Sequence, residues 1–141
     1  MKTEKQEEIF SKCPVIYRHR FAGNQQGLRW LGFRCGDGWF ELILELSLDI
    51  EKLINKQQAE NYIAENQLPY VVQVKEKFGG LNFYMSAQND EISALIHNAA
   101  KRSEKICEQC GLPGETRNVA GWCFTECRLC YEIRRKGLVM S

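Results

Sequence analysis

The sequence lacks the features that would direct it into a membrane or out of the cell. None of its apolar runs approaches the ~20 residues needed to span a bilayer. Residues 1–8 are mostly charged or polar and contain no apolar core of a secretory signal. We therefore expect a cytoplasmic protein without membrane contact, in a compartment where thiols stay reduced.

Histidine is also scarce, and this limits the reactions that the chain could catalyse. The two histidines, His19 and His97, form neither an Asp-His nor a His-x-x-x-His pair. A metal-dependent nuclease of the HNH type needs such a histidine-rich element. No glycine-rich loop followed by Lys-Ser or Lys-Thr indicates nucleotide binding either. We expect a protein that is not an enzyme, with a metal-dependent nuclease as the least favoured alternative.

Net charge is nearly absent, but its distribution is uneven. The chain of 141 residues has a net charge of +1, which excludes a protein that coats nucleic acid by charge alone. Residues 15–34 nevertheless contain four arginines and no acidic residue, whereas residues 35–66 contain seven acidic residues against two lysines. A local, positively charged binding surface is therefore compatible with a net charge near zero.

The apolar periodicity predicts two helices. Over residues 39–55, apolar side chains recur at spacings of three and four, and Asp37 is a candidate N-cap. A second helix is expected over residues 89–106, where a smaller apolar face recurs. A short helix is also expected over residues 3–12, ended by the proline at position 14.

The strand signals lie before and between these helices. Two β-rich runs over residues 70–85 are joined by Gly79-Gly80, which predicts a hairpin because both glycines tolerate positive φ. Residues 15–21 and 28–35 are expected to be extended around a turn at 23–27. Together these elements predict an α+β domain over residues 1–106, with a small antiparallel sheet packed by two helices.

Seven cysteines, an odd number, fit a disulfide framework poorly. Four of them form two Cys-x-x-Cys pairs, Cys107/Cys110 and Cys127/Cys130, with sixteen residues between the pairs. This is the spacing of a zinc ribbon, in which each pair bends into a knuckle that points two thiolates at one ion. We expect one structural Zn²⁺ in a ribbon over residues 107–136; iron in a rubredoxin-like centre is the alternative.

The remaining three cysteines have different expected roles. Cys123 lies four residues before Cys127 and could replace it as a ligand, although the Cys-x-x-Cys geometry favours Cys127. Cys13 and Cys35 are distant in sequence, and we expect both to be buried structural thiols.

Cations and aromatic residues are interleaved in residues 15–34, and further cations follow the second cysteine pair. Such residues can contact phosphates and stack on bases. The alternative is that the aromatic side chains belong to the core and the cations are simply solvated. The candidate binding residues are Arg18, Arg20, Arg29, Trp30, Arg34, Arg128, Arg134, Arg135 and Lys136.

Three segments together resemble a family of small bacterial, phage and prophage proteins with a zinc ribbon. They are Val-Lys-Glu-Lys-Phe-Gly-Gly-Leu-Asn-Phe-Tyr at 74–84, Ile-Cys-Glu-Gln-Cys-Gly-Leu-Pro-Gly at 106–114, and Gly-Trp at 121–122. The segment Gly-Asp-Gly-Trp-Phe at 36–40 also fits this family. The resemblance covers roughly residues 36–131. It implies a phage or prophage setting in the cytosol of a bacterial host, and it implies no activity.

A second, local resemblance concerns the cysteine segment. Residues 107–130 are similar to the zinc finger of the DksA/TraR transcription factors over about 25 residues. The acidic coiled-coil tip of those factors has no clear counterpart in this chain. Their activity is therefore not carried over.

Two binding functions follow from these patterns. The first is contact with nucleic acid or with a nucleic-acid-processing machine, through the cationic and aromatic residues named above. The alternative is a phage inhibitor or adaptor that binds a host protein, such as a defence or transcription component. The phage setting and the acidic residues Glu41, Glu45 and Asp49 on the first predicted helix motivate that alternative.

Overall fold

The computed structural model describes residues 1–21 and 29–137, so the turn expected at 23–27 lies outside the described residues. Its helices are α1 Thr3–Lys12, α2 Phe40–Asn61, α3 Asp90–Ser103 and α4 Arg128–Arg135. Its strands are β1 Phe33–Arg34, β2 Val71–Lys77, β3 Gly80–Met85, β4 Glu115–Val119 and β5 Trp122–Glu126. Two short 3-10 helices span Asp37–Trp39 and Glu65–Gln67.

These elements form two sheets, and the predicted α+β class with a C-terminal four-cysteine ribbon is confirmed. The first sheet has the order β1-β2-β3, and the second consists of β4 and β5. The pairs β2–β3 and β4–β5 are antiparallel, as expected. The short β1 instead runs parallel to β2, with Phe33 opposite Val74. The first sheet is therefore mixed.

The apolar stripe of the first predicted helix forms the centre of the core. Ile43, Ile50 and Ile54 of α2 are fully buried. The helix is longer than the stripe predicts, because it ends only where Tyr62 takes a left-handed conformation with φ 52°. The expected N-cap at Asp37 is wrong, since its carboxylate instead accepts the main-chain N–H of Lys2, 2.7 Å away.

Residues 15–21 form turns, so the expected extended segment is wrong. The main-chain N–H groups of Tyr17 and Arg18 donate to carbonyls three or four residues earlier, over 3.3 Å each. The carboxylate of Glu51 on α2 accepts the N–H groups of both Val15 and Ile16, at 2.9 Å each. These hydrogen bonds satisfy main-chain N–H groups that, in a strand, would have donated to a neighbouring strand.

The hairpin forms as predicted, but its turn lies one residue earlier. Phe78 and Gly79 both have positive φ, at 54° and 85°, and Gly80 is the first residue of β3. The turn packs against the ribbon. The hydroxyl of Thr125 on β5 donates to the Gly79 carbonyl, and a side chain at Gly79 would meet Thr116 of β4 at 2.8 Å.

The third helix begins where the sequence predicts and ends three residues early. The side chain of Asn89 accepts the N–H of Ile92 at 2.9 Å, which is an N-cap. At the other end, the buried hydroxyl of Ser103 accepts the N–H of Leu81 on β3, 2.9 Å away. The chain then turns, and Ile106 forms a bridge with Pro113 in place of a further helical turn.

A cluster of aromatic rings joins α1, the turns after it and β1. Phe10, Tyr17, Trp30 and Phe33 pack with ring centroids between 5.2 and 6.1 Å apart. The predicted burial of Cys13 and Cys35 is confirmed, because at most 8% of either residue is exposed.

Among residues 1–21 and 29–137, no helix combines the length and the apolar character that crossing a bilayer requires.

Candidate metal centre

The four cysteines of the two pairs converge on one point. Their Sγ atoms all lie within 4.8 Å of one another, and the Sγ atoms of Cys110 and Cys127 are 3.6 Å apart. Four sulfurs placed tetrahedrally at about 2.3 Å from a zinc ion are about 3.8 Å apart. The spacing therefore fits a structural metal site with four sulfur ligands.

The first knuckle is formed by Cys107, Cys110 and the glycine after them. The N–H of Gly111 donates to the Cys107 carbonyl at 2.9 Å, and the N–H of Cys107 donates to the Leu112 carbonyl at 2.8 Å. Gly111 takes φ 84°, and a side chain there would meet the backbone of Gly38 at 3.1 Å. Glycine thus allows both the tight turn and the close approach.

The second knuckle is the beginning of α4. Cys127 is the N-cap of this helix, and its Sγ accepts the N–H of Cys130 at 3.4 Å. This hydrogen bond, together with contacts from the other three cysteine thiols, lowers the pKa of the Cys127 thiol to about 7. The thiolate is the form of cysteine that binds metal, so the N-terminus of α4 favours the metal-binding form of Cys127 at neutral pH.

Burial differs among the four cysteines. Cys107, Cys127 and Cys130 are buried, whereas Cys110 is exposed. Burial raises the pKa of Cys130 above its ordinary value. A bound cation would oppose this effect by stabilising the thiolate.

Cys123, the alternative ligand, lies outside the cluster. It pairs with Asn118 across the ribbon, on the face that meets the β2–β3 turn at Gly79. The structure thus brings Cys127, and not Cys123, together with the other three sulfurs. Cys123 lies within β5, whereas Cys127 follows the end of that strand as the N-cap of α4, four residues further along the chain.

The first knuckle is hydrogen-bonded to residues 36–39, which lead into α2. The carboxylate of Glu108 accepts the N–H of Gly36 at 2.8 Å, and its carbonyl accepts the N–H of Gly38 at 2.7 Å. The indole N–H of Trp39 donates to the Ile106 carbonyl at 2.9 Å. The four-cysteine cluster is thereby held against the α+β core.

On the outer face of the ribbon, Arg134 takes part in internal contacts. Its guanidinium pairs with the buried carboxylate of Glu126 at 2.8 Å and lies 3.8 Å from the ring centroid of Phe124. Arg117 lies over Tyr131 in a similar way, at 4.5 Å. Arg134 therefore joins α4 to β5.

Three candidate residues of the 15–34 segment are also engaged within the fold. Arg18 donates to the Leu68 carbonyl at 2.5 Å and to the Val15 carbonyl at 2.8 Å. The guanidinium of Arg20 lies 4.7 Å from the centroid of the Phe10 ring. Trp30 belongs to the aromatic cluster.

The other candidate binding residues are exposed and lie in two places. Arg34 lies in β1, and Arg29 lies four residues before that strand. Arg128 and Arg135 lie on α4, and Lys136 directly follows it. Arg135 pairs with Glu132 on its own helix, at 2.9 Å.

Sequence reasoning missed the cations that accompany Arg34. Lys75 is the direct partner of Arg34 across β1 and β2, and Lys77 follows on the same face. The alternation of apolar and charged residues along β2 is the signal that could have found them.

Neither histidine lies at the cysteine cluster. His19 stacks on Tyr70 with ring centroids 4.1 Å apart, and partial burial lowers its pKa. His97 is exposed on α3.

Comparison with family models, curated proteins and solved structures finds no match for this chain.

Proposed function

We propose that the four cysteines bind one structural Zn²⁺ ion and that the protein is a non-enzymatic module that binds nucleic acid or a nucleic-acid-processing machine. The convergence of the four Sγ atoms within 4.8 Å carries the zinc assignment. Four cysteine sulfurs are a characteristic ligand set of structural zinc. With all four positions filled by sulfur, the ion has no open position at which to activate water.

Zinc would supply the folding free energy that the ribbon cannot obtain by burying side chains. The buried apolar cluster of the ribbon consists of Cys107, Cys127 and Cys130 alone among the described residues. Structural zinc contributes on the order of 10 kcal/mol in small zinc-finger peptides. The ion would therefore hold the β4–β5 hairpin and α4 in place.

Exposed cations at two places support nucleic acid as the partner. Arg29 and Arg34 lie next to the first sheet, and Arg128 and Lys136 lie on the ribbon. Within residues 1–21 and 29–137, none of these four side chains forms an ion pair. They are free to contact phosphates. The phage or prophage setting implied by the sequence resemblance is part of the proposal.

The zinc assignment is tested by metal analysis of the purified protein and two cysteine variants. We expect one equivalent of zinc in the unchanged protein and loss of that zinc in Cys110→Ser. NMR spectra of Cys110→Ser should show unfolding of at least the C-terminal third. Cys123→Ser is the matched control and should retain a full equivalent. A full equivalent retained by Cys110→Ser, or iron in place of zinc, would refute the assignment.

The partner is tested by fluorescence anisotropy with labelled DNA and RNA, single- and double-stranded, at several salt concentrations. We expect the affinity to fall as salt rises, because phosphate contacts release counterions. Absence of binding to every oligonucleotide at low salt would refute nucleic acid as the partner. So would an affinity that is independent of salt.

A host protein is the second candidate partner, and the tip of the ribbon favours it. Trp122 and Val119 are cross-strand partners, with 71% and 40% of each residue exposed. Large exposed aromatic residues are enriched at protein interfaces. If this candidate is right, one identified protein should co-purify from the bacterial host, and Trp122→Ser should abolish its co-purification without loss of zinc.

A further inference from the structure

The first sheet has one buried face and one face that is open to solvent. Val74 and Phe83 are paired across β2 and β3 and belong to the core. The neighbouring pairs, Lys75 with Asn82 and Gln73 with Tyr84, must point the other way because side chains alternate along a strand. We call the outward set, Arg34, Gln73, Lys75, Lys77, Asn82 and Tyr84, the open sheet face.

The open sheet face is cationic without any compensating acid of its own. Its three cations are Arg34, Lys75 and Lys77, and none of them forms an ion pair within the described part of the chain. Glu76 is the only acidic residue in β1, β2 and β3. It lies on the other side of β2, where its carboxylate accepts the N–H of Gly79 at 2.7 Å. A chain of net charge +1 thus concentrates positive charge on this face.

An aromatic ring and a shallow depression lie among these cations. Tyr84 is 38% exposed, and the Lys75 ammonium lies 5.7 Å from its ring centroid. Beside the ring is a depression of about 270 Å³. Its lining residues are Leu31, Val72, Gln73, Lys75, Tyr84 and Met85.

We infer that the open sheet face binds single-stranded nucleic acid, with its phosphates on Arg34, Lys75 and Lys77 and a base stacked on Tyr84. This inference rests on the proposed function and names its site and substrate class. Lys75 and Lys77 are two residues apart on one strand, which separates them by about 7 Å. The phosphates of an extended single strand recur at a comparable spacing.

The chemistry of the face favours a single strand over a duplex. Bases in a duplex are stacked on one another, whereas a single strand can turn a base onto an exposed aromatic ring. The apolar walls of the depression, formed by Leu31, Val72 and Met85, would cover the base, and the Gln73 amide can donate to and accept from its edge. Cations around an aromatic ring are the usual arrangement of sites that bind single strands.

The inference is tested by fluorescence anisotropy on the zinc-loaded protein. The probes are labelled oligo-dT and oligo-U of twelve nucleotides, and a duplex of the same length. The double variant Lys75→Gln/Lys77→Gln should bind the single strands at least tenfold more weakly. Its slope of log affinity against log salt should be shallower by roughly 1.4, as expected for two lost phosphate contacts.

Two further variants separate stacking from charge. Tyr84→Leu should weaken single-strand binding by about fivefold or more, and Tyr84→Phe should restore most of it because the ring can still stack. Lys52→Gln/Lys56→Gln is the matched control, since it removes the same charge from exposed positions on α2. It should leave the affinity within about twofold. Zinc content and circular dichroism should be unchanged in all of these variants.

Several results would overturn the inference while the proposed function stands. They are a duplex bound as tightly as the single strands, an equal loss in the Lys52/Lys56 control, an unchanged affinity in Tyr84→Leu, or a loss confined to Arg128→Gln/Lys136→Gln on the ribbon. If the unchanged protein binds no oligonucleotide at low salt, the proposed function fails as well. Binding of polyglutamate that depends on Lys75 and Lys77, without oligonucleotide binding, would assign the face to an acidic protein instead.

Discussion

The main-chain N–H of Gly36 donates a hydrogen bond to the carboxylate of Glu108, which is 2.8 Å away in space and 72 residues later in the sequence. Glu108 directly follows Cys107, the first ligand of the candidate metal centre. Burial raises the pKa of the Glu108 carboxyl, and the Gly36 N–H opposes that effect. The metal knuckle and the segment that leads into α2 therefore form one structural unit.

The close packing at this junction makes Gly38 sensitive to substitution. In Gly38→Ala, the added methyl group would overlap the carbonyl oxygen of Cys107 and force the knuckle away from α2. We expect the free energy of unfolding to fall by about 3 kcal/mol, and zinc affinity to fall with it. Urea unfolding and zinc competition measure the two effects. Gly80→Ala is the control, because its nearest contact would be 3.8 Å away; equal losses in both variants would contradict the prediction.

Glu51 is expected to be the most important carboxylate for stability on α2. It is 6% exposed and accepts the N–H groups of Val15 and Ile16. Glu51→Ala removes the partner of both donors, of which the Ile16 N–H is buried and the Val15 N–H part-buried, so we expect a loss of about 3 kcal/mol in the free energy of urea unfolding. Glu60→Ala, at an exposed position on the same helix, should change stability by less than about 0.5 kcal/mol. If Glu51→Ala lowers the free energy of unfolding no more than Glu60→Ala does, the two hydrogen bonds do not stabilise the fold.

The ion pair between α2 and α3 should give a small stability that depends on pH. Arg102 contacts both carboxylate oxygens of Glu45 at 3.1 Å and lowers the pKa of that carboxyl. The pair therefore stabilises the fold above the ordinary Glu pKa, and this contribution disappears as the pH falls through the lowered value. Since both side chains are about half exposed, Arg102→Gln should cost less than about 1 kcal/mol at pH 7.

Carboxyl NMR titration checks this prediction directly. The pKa of Glu45 should rise towards its ordinary value in Arg102→Gln and stay unchanged in Lys101→Gln. The stability difference between Arg102→Gln and the unchanged protein should vanish at acidic pH. A difference that persists at acidic pH would assign the effect to packing and not to charge.

The three cysteines outside the cluster should differ in reactivity. Burial raises the pKa of both Cys13 and Cys35 to about 12, whereas Cys123 is only partly buried. In the zinc-loaded protein, iodoacetamide at pH 8 should modify Cys123 first. Cys13 and Cys35 should react only after urea unfolding, as followed by peptide mass spectrometry. Rapid modification of either buried thiol in the native protein would contradict the described core.

Features with local causes could be predicted from the sequence. The Asn89 cap, the apolar stripe of α2 and the hairpin each depend on residues within a few positions of one another, and all three are present. The convergence of the four cysteines also follows from their spacing, because each pair is a local turn and the sixteen residues between the pairs form the β4–β5 hairpin that brings them together.

Features with distant partners could not be predicted in this way. Residues 15–21 form turns because the N–H groups of Val15 and Ile16 donate to the carboxylate of Glu51, more than thirty positions away. The hairpin turn at Phe78-Gly79 is bonded to Thr125 of the ribbon, a partner 46 positions away that the hairpin sequence does not reveal. Arg18 makes contacts inside the fold that its sequence neighbours do not reveal.

The bond between Gly36 and Glu108 also bears on how the chain matures during translation. A ribosome that adds 5–20 residues per second needs roughly 4 to 14 s to pass from one partner to the other. During that interval the start of α2 has neither of its hydrogen bonds to Glu108, and the apolar side chains around Trp39 have emerged before the segment that covers them. The contact between the metal knuckle and the segment that leads into α2 can therefore form only several seconds after Gly36 has been synthesised.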